Sequence, residues 1–318
     1  MGAINLERLW GGDRRSIARA ITHVENETPA SAELLRSAFV RTGRAYRIGI
    51  TGPPGAGKST ITNKLASLYR GAGKTVGIIA VDPTSPFSGG ALLGDRVRMT
   101  DVDLDEDVFI RSMASRGSLG GLSRRTMEAV DILDAAGKEV VLMETVGVGQ
   151  SELDIAGAAD TTVVALVPES GDSIQAMKAG LMEIADVFVL NKSDRAGADQ
   201  AVMAIQMILN FRKHNGWMPD VIKTVASEGA GIDALAAKIA DHREYLERSG
   251  GLRLKRRARI ERRVRDLISV RLRVDFWTSD RQAMLDRRLD DLLGLVVSPA
   301  EVADELVADF HRTHNVRG

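Results

Sequence analysis

The sequence predicts an α/β protein built on a doubly wound, mainly parallel sheet, with helical extensions before and after it. Three observations support this prediction. Short runs rich in β-branched residues alternate with helical stretches from Tyr46 onward. A glycine-rich segment separates the first of these runs from the helix that follows it. No strand-like run occurs after about Leu246. Continuous apolar strands separated by helices are typical of a parallel sheet that is covered on both faces.

The central domain is predicted to span residues 46–245. Its strand-like runs read YRIGI, TVGIIAV, DVFIRSM, EVVLM, TTVVALV, DVFVL and VIKTV. Each run is too short for a helix of ordinary length and is bounded by turn residues or helical periodicity, which favours a buried strand. The sequence therefore predicts a parallel sheet with a helix between most of its strands.

Residues 1–45 are predicted to form an N-terminal helical extension. An apolar face recurs at helical spacing, at Ile17, Ala20, Ile21 and Val24. Thr28 and Pro29 indicate the N-cap and first residue of a further helix, and Gly43 indicates its end.

Residues 246–318 are predicted to form a C-terminal helical arm. Apolar residues recur at helical spacing among many arginines, at Ile260, Val264, Leu267, Ile268 and Leu272. This stripe has no evident partner within a compact central domain, and exposed stripes of this kind usually mark a partner surface.

Composition excludes several classes of protein. The 318 residues carry 43 basic and 43 acidic side chains, so no net charge favours nucleic acid or an anionic membrane. There is no cysteine, which excludes a disulfide framework and a thiolate metal site and suits a reducing cytoplasm. No apolar run approaches the ~20 residues needed to cross a bilayer, and the first residues lack the pattern of a signal peptide. We therefore expect a cytoplasmic protein without membrane or nucleic-acid partners.

The segment GITGPPGAGKST matches the pattern G-x-x-x-x-G-K-[ST] at residues 52–59. It follows a strand-like run and precedes a helical stretch, which is the context that a P-loop requires. The glycines let backbone N–H groups wrap closely around phosphates, and the helix N-terminus adds a favourable dipole. Lys58 is expected to reach the β- and γ-phosphates, and Ser59 to ligate Mg²⁺. The predicted nucleotide-binding residues here are Gly52, Pro53, Pro54, Gly55, Ala56, Gly57, Lys58, Ser59 and Thr60.

The segment VLNKSD predicts that the base is guanine. Asn191, Lys192 and Asp194 match N-K-x-D directly after a strand-like run. The Asp194 carboxylate can accept from guanine N1–H and from the exocyclic amine together, whereas adenine offers an acceptor at N1 and no amine at C2. A site built for such donors rejects an analogue that lacks them by ~10⁴ or more. In the later stretch VASEGAGI, the backbone N–H of Ala226 is expected to contact the guanine O6.

Two aspartates are predicted to act at the metal. Asp82 ends the second apolar run, where a carboxylate faces the nucleotide at the carboxyl end of a strand. Asp95 lies in VDPTSPFSGGALLGDR, a segment whose Gly, Pro and Ser content is typical of a switch that orders around Mg²⁺ and the γ-phosphate.

The stretch METVGVGQSE takes the place of the D-x-x-G switch of Ras-like proteins. Glu144 is expected either to hold a Mg²⁺-bound water or to orient the attacking water. Gly147 can still offer its N–H to the γ-phosphate. Val148 cannot position water, so the sequence predicts slow intrinsic hydrolysis of GTP to GDP that a partner accelerates.

With these motifs assembled, the sequence resembles the metallochaperone GTPases of the MeaB/ArgK type, the G-protein chaperones of methylmalonyl-CoA mutase. The matching segments are GPPGAGKST, VDPTSPFSGGALLGDR, RSMASRGSLGGLSR, METVGVGQSE, PESGDSIQAMKAGLMEIADVFVLNKSD and SEGAGI. The resemblance implies GTP–Mg²⁺ binding, weak GTPase activity and a homodimer made through the C-terminal arm. It also implies control of adenosylcobalamin loading and protection of an adenosylcobalamin-dependent acyl-CoA mutase.

The same resemblance assigns residue roles. It gives metal or catalytic roles to Asp82, Asp95 and Glu144, and places Lys178 in an extra switch that responds to the partner. The sequence departs from the family pattern at PESGD, where a proline-glycine pair is expected, and at Val225, where a serine is expected.

Other interpretations stay open. A P-loop kinase that phosphorylates a basic amino acid shares the phosphate loop, although kinases rarely need N-K-x-D. A nickel-inserting GTPase would bring Cys or His ligands; the close pair here, His311 and His314, is more typical of a surface pair. Asp309-x-His311 lacks the glycine of a cobalamin-binding D-x-H-x-x-G, so no cobalamin is expected on this chain. The basic stretch Arg253–Arg273 lacks the interleaved aromatics that would favour nucleic acid.

Overall fold

The computed structural model describes residues 4–82, 102, 104–114, 124–145, 151–168, 180–211 and 216–315. Seven strands lie in this part of the chain: β1 Tyr46–Thr51, β2 Val76–Asp82, β3 Val108–Ala114, β4 Val140–Glu144, β5 Thr161–Leu166, β6 Val187–Asn191 and β7 Val221–Thr224. The helices described are α1 Leu6–Trp10, α2 Arg14–Glu25, α3 Ser31–Phe39, α4 Lys58–Gly71, α5 Arg124–Ala135, α6 Ser151–Ala158, α7 Leu181–Ile184, α8 Ala198–Phe211, α9 Ile232–Ser249, α10 Gly251–Phe276, α11 Ser279–Leu293 and α12 Pro299–Asn315.

All seven strands join one parallel sheet in the order β3-β2-β4-β1-β5-β6-β7. The predicted strands and their parallel arrangement are therefore confirmed. The strand that precedes the P-loop, β1, lies between β4 and β5, with Ile50 opposite Glu144 on one side and Val163 on the other. Sequence order reverses at β1, and such a switch point places a ligand crevice at the carboxyl ends of the strands.

Alternate residues of each strand supply different faces of the sheet. On β4, Leu142 joins a core cluster that includes residues of α4 and α9, whereas Val141 and Met143 join a cluster that includes residues of α2, α5 and α6. A third cluster joins β5 and β6 to the inner face of α8. Because both faces of the sheet are covered, its strands are continuous runs of apolar residues.

The N-terminal helices pack on α5 rather than forming a separate body. Asp134 of α5 accepts the backbone N–H groups of Gly43, Arg44 and Ala45 at 2.8–3.1 Å. The same carboxylate and Asp131 bind the buried Arg47 guanidinium at 3.2 and 2.8 Å. This cluster fixes the connection between the N-terminal helices and β1.

The third helix begins later than the sequence predicts. Its first residue is Ser31 and its N-cap is Ala30, instead of Pro29 and Thr28. The Thr28 hydroxyl lies 2.8 Å from the His23 ring nitrogen Nδ1, and this pairing takes the place of an N-cap bond. The helix also ends at Phe39, four residues before Gly43.

The chain divides into two compact units, residues 1–255 and 256–318. The second unit begins within α10 at residue 256, ten residues beyond the predicted start of the arm at 246, and the N-terminal helices belong to the first unit. In the second unit, Arg281 is buried and binds Asp309 at 3.1 Å and the carbonyl of Phe276 at 2.5 Å, which joins α11 to the end of α10 and to α12. None of the helices described above is long and apolar enough to span a membrane.

Candidate functional site

The phosphate-binding loop lies at the carboxyl end of β1, between the ends of β4 and β5. Two of its glycines are required by close approach as well as by backbone conformation. Gly52 has φ +134°, and a Cβ there would lie 2.0 Å from the carbonyl oxygen of Ala165 on β5. Gly57 has φ +84°, and a Cβ there would lie 2.3 Å from the Asn191 side-chain nitrogen. The loop therefore packs closely against the ends of β5 and β6, and no residue larger than glycine fits at position 52 or 57.

Lys58 is the first residue of α4 and only 6% exposed. Its ammonium donates to the carbonyl oxygens of Gly52 and Pro53, at 2.8 and 3.0 Å, so the side chain curls over its own loop. An ammonium held there lies next to the backbone N–H groups at the N-terminus of α4. Both features favour a phosphate at this point.

Ser59 and Glu144 meet at the centre of the site. The Ser59 hydroxyl donates to Glu144 Oε1 at 2.5 Å, and both side chains are buried. Glu144 ends β4, opposite Ile50 of β1 and Ala80 of β2. Two residues beyond Ala80, the backbone of Asp82 ends β2 at the same edge of the sheet. A hydroxyl and carboxylates are the hard oxygen donors that Mg²⁺ prefers, so the residues predicted as metal ligands fit that ion.

The Asn191 side chain connects the loop that follows β6 with the P-loop and with the loop that follows β7. Its side-chain amide donates to the Ala56 carbonyl of the P-loop at 2.9 Å. Its Oδ1 accepts from the Thr224 hydroxyl and from the Ala226 backbone N–H, both at 3.0 Å. The residues predicted to bind phosphate and base are thus joined by direct hydrogen bonds. In this structure the Ala226 N–H donates to Asn191. The contact of the Ala226 N–H with guanine O6 stays a prediction.

The remainder of N-K-x-D is oriented by its backbone. Lys192 has φ +57°, an uncommon left-handed conformation for a residue other than glycine. The Ser193 N–H and hydroxyl both bond to the Thr224 carbonyl, each at 3.1 Å. These bonds hold the turn on β7 and leave Asp194 exposed. An exposed carboxylate at this edge is available for a base.

The motifs in the sequence do not predict a buried hydroxyl pair next to the site, formed by Thr145 and Thr51. Thr145 donates to Thr51 at 2.9 Å, and both residues are almost fully buried. The Thr145 N–H also bonds to the Ile50 carbonyl at 3.1 Å. This pair fixes the start of the ETVG turn to the end of β1. The position of Thr145 inside the ETVG motif could have indicated this contact with Thr51. Its residue type could not, because threonine is common in strands.

Several predicted site residues lie outside the described part of the chain. These are Asp95, Gly147 and Lys178, together with Val148. For Asp82 the strand is described but the side chain is not. Within the ranges that the structure describes, no three His, Asp or Glu side chains form a cluster able to hold a metal on their own. A cation at Ser59 would draw further ligands from a bound nucleotide or from side chains that the structure does not describe, Asp82 among them.

Comparison with known protein families gives one match that covers most of the chain. Residues 17–281 match the family described as methylmalonyl-CoA mutase-associated GTPase MeaB. A protein of Pyrococcus abyssi named as a GTPase is 53% identical over 268 residues, 83% of each chain. The GTPase ArgK of Escherichia coli is 40% identical over 259 residues, 79% of this chain and 78% of that protein.

A more distant relative and a solved structure extend the comparison. The mouse methylmalonic aciduria type A homolog, a mitochondrial protein, is 33% identical over 329 aligned positions, which cover 96% of this chain and 79% of that protein. The crystal structure of a LAO/AO transport system kinase superposes with a TM-score of 0.74 at 30% identity, over 98% of this chain and all of that one.

Proposed function

The chain belongs to the MeaB family of GTPases, and we propose that it is a GTP-driven chaperone that gates adenosylcobalamin loading of an acyl-CoA mutase and protects that enzyme. The family match over residues 17–281 carries this proposal, because it includes most of α2, all of α3 and the first half of the arm as well as the GTPase core. The names of the family and of the mouse relative both refer to methylmalonyl metabolism. Methylmalonyl-CoA mutase or a close relative is therefore the proposed client.

GTP hydrolysis uses the groups assembled at the carboxyl edge of the sheet. The backbone N–H groups of the P-loop and of the first turn of α4 bind the β- and γ-phosphates. Lys58 leaves the carbonyls of Gly52 and Pro53 to bind phosphate oxygens, exchanging neutral acceptors for charged ones. Asp194 selects guanine. Positioning and charge stabilisation of this kind supply most of the catalysis in phosphoryl transfer.

Mg²⁺, when bound with the nucleotide, would neutralise charge on the β- and γ-phosphates. Ser59 and Asp82 would hold it, with Asp95 as a further proposed ligand. Glu144 already accepts a hydrogen bond from Ser59, which supports a place beside the metal rather than at the far side of the γ-phosphate. Replacing Glu144 by Gln separates the two roles: the metal-side role predicts a higher Mg²⁺ requirement, and the water-orienting role predicts a lower maximal rate at saturating Mg²⁺.

The chain alone is proposed to hydrolyse GTP slowly and to be stimulated by its client. Val148 follows Gly147 where a water-positioning amide would be needed. Completing such a site in trans is worth ~10³ to 10⁵ in rate in other GTPases. Lys178 is proposed to belong to the segment through which the client acts. The corrinoid is proposed to bind the client, and the absence of cysteine supports a cytoplasmic location.

The C-terminal arm is proposed to form the homodimer. No residue of α10 is buried. Three members of its apolar stripe, Ile260, Val264 and Ile268, are each about half exposed. An apolar stripe of this length on a single helix suits contact with a second copy.

The deciding experiment is the GTPase rate with purified adenosylcobalamin-dependent mutases that act on methylmalonyl-, isobutyryl- or hydroxyisobutyryl-CoA. We expect one of them to raise the rate tenfold or more. The Lys178→Ala variant should lose this stimulation while keeping its basal rate and GTP affinity, and Lys192→Ala should lose GTP affinity. The chaperone proposal fails if no mutase changes either the rate or the nucleotide affinity.

A kinase is the second candidate, because the structural relative is described as a transport system kinase. Incubation with labelled GTP and arginine, lysine or ornithine distinguishes the two. A kinase transfers the label to the amino acid, and the proposed GTPase releases it as free phosphate.

A further inference from the structure

Helix α8 exposes an apolar stripe that the GTPase site does not use. Met203, Met207 and Phe211 stand four residues apart and are 66%, 63% and 85% exposed. Residues at that spacing lie on one face of a helix. Ile208, 37% exposed, widens the stripe toward the buried side. The apolar surface of α8 therefore extends well beyond the part that packs on the sheet.

The opposite face of α8 packs against the sheet. Ile205 and Leu209 are buried in the cluster that α8 forms with β5 and β6. Beyond the first turn of α8, the polar residues are Gln206 and Asn210, which lie between the two apolar faces. No charged residue occurs from Gln200 to Phe211. A surface helix normally carries charge on its outer face, so stability of this unit does not explain the composition of α8.

The size of the stripe indicates the kind of contact it makes. With Met203, Met207 and Phe211 each more than 60% exposed, the stripe is comparable to the largest apolar patch of a typical monomer, about 300–600 Å². A stable interface buries about 800 Å² on each partner. The stripe is therefore large enough for the apolar centre of a transient interface and too small for a permanent one.

The residue types indicate the partner surface. Two of the three main side chains are methionines, which adapt to surfaces of different shape. Without charge on the stripe, the partner surface needs no complementary charge and must itself be apolar where it meets α8. Such a contact suits a protein that is met in more than one conformation and then released.

We propose that α8 is the docking helix for the client, with Met203, Met207 and Phe211 packing against an apolar face of the acyl-CoA mutase. This inference rests on the proposed function and adds the surface on which the client sits. The helix connects β6, which ends in Asn191, to β7, which ends in Thr224. A client bound to α8 thus contacts the element that joins two strands of the base-binding edge.

The test compares binding of purified mutase to the full-length protein and to two variants of the same helix. Met207→Lys places a charge in the middle of the stripe, and Gln206→Lys places the same charge between the two apolar faces. We expect Met207→Lys to weaken mutase binding tenfold or more in biolayer interferometry, and Gln206→Lys to bind as the unmodified protein does. GTP affinity and the thermal unfolding midpoint should stay unchanged in both variants.

Other results overturn the inference in different ways. If Met207→Lys binds the mutase normally, α8 is not the docking helix and the proposed function stands. If no mutase binds the unmodified protein in any nucleotide state, the inference and the proposed function both fail. If Met207→Lys instead shifts the oligomeric state of the isolated protein in sedimentation, the stripe joins copies of this chain and the client assignment is wrong.

Discussion

Asn191 and Asp194 divide the work of the N-K-x-D motif at the scale of single residues. Asn191 binds the P-loop and the loop after β7, whereas Asp194 stands exposed at the same edge. Loss of Asn191 would loosen the loops for any nucleotide, because its bonds reach both the phosphate and base sides. Loss of the Asp194 carboxylate should change only which base is preferred.

Asp194→Asn is expected to lower GTP affinity by a factor of ~100 or more and to improve binding of xanthosine triphosphate. The amide presents a donor to the donors of guanine, whereas xanthine has a carbonyl at C2 that can accept it. Competition binding with both nucleotides measures the switch. Asp199→Asn is the matched control, because Asp199 is exposed nearby in sequence and pairs with Lys223. Unchanged GTP preference in Asp194→Asn would contradict the guanine assignment.

At the scale of elements, the hydrophobic pattern was sufficient for the sheet. The sequence predicts all seven strands, because most of them are apolar runs buried on both faces; β3 and β7, which contain Arg111 and Lys223, are less buried. The predicted start of α3 is wrong. The Thr28 hydroxyl can bond either to a backbone N–H as an N-cap or to His23, and the sequence does not show that His23 lies within reach. The candidate metal and phosphate ligands are predicted from motif spacing. The bonds of Asn191 to Ala56 and Ala226 are not, because they join residues brought together only by the order of the strands.

The junction between the N-terminal helices and the sheet depends on Asp134. We expect Asp134→Asn to lower the free energy of unfolding by about 2–4 kcal/mol, because it leaves the buried Arg47 with one fewer charge partner and replaces an acceptor oxygen with an amide donor that faces backbone N–H donors. Urea denaturation of the nucleotide-bound protein measures the loss. Asp107→Asn should cost under about 1 kcal/mol, because that carboxylate is mostly exposed in its pair with Arg70. Equal losses would show that burial of the carboxylate is not decisive.

His242 makes the packing of α9 sensitive to pH. Its ring is buried, with Nδ1 2.8 Å from the Thr161 hydroxyl and Nε2 3.4 Å from Asp186. Burial lowers the pKa of His242 from 6.5 to about 4, although the Asp186 carboxylate opposes the shift. Between these values the unfolded chain binds a proton that the folded protein does not. The stability from the neutral ring is therefore present above the unfolded pKa and lost as pH falls toward the folded pKa.

We expect His242 to account for a loss of about 1 kcal/mol in unfolding free energy between about pH 7.5 and pH 5.5. The comparison is with His242→Asn, which is less stable at neutral pH but lacks this titration. The stability difference between the two proteins should shrink by that amount over the interval. A difference that is constant with pH would mean that the ring does not stay neutral in the fold.

At the scale of the whole molecule, the unit boundary within α10 predicts where the chain can be shortened. A chain that ends at Lys255 should bind GTP as a monomer, and the full-length protein should be a dimer in sedimentation equilibrium. Lys255 is needed because its ammonium bonds to the Asp160 carbonyl at 3.0 Å and to Asp186 at 2.9 Å. A chain that ends at Arg248 lacks these bonds and should unfold at lower temperature. A dimeric 1–255 fragment, or a monomeric full-length protein, would contradict the role of the arm.

The position of β1 between β4 and β5 also bears on how the protein folds. Tyr46 pairs with Val140, so roughly ninety residues must be synthesised before the central strand acquires its first neighbour. Parallel pairing over such a distance folds slowly, because the entropy of closing the loop is lost before any contact is gained. At 5–20 residues per second, β1 leaves the ribosome roughly 5–20 seconds ahead of that neighbour. During this interval both edges of β1, which pair with β4 and β5 in the folded protein, are open to aggregation.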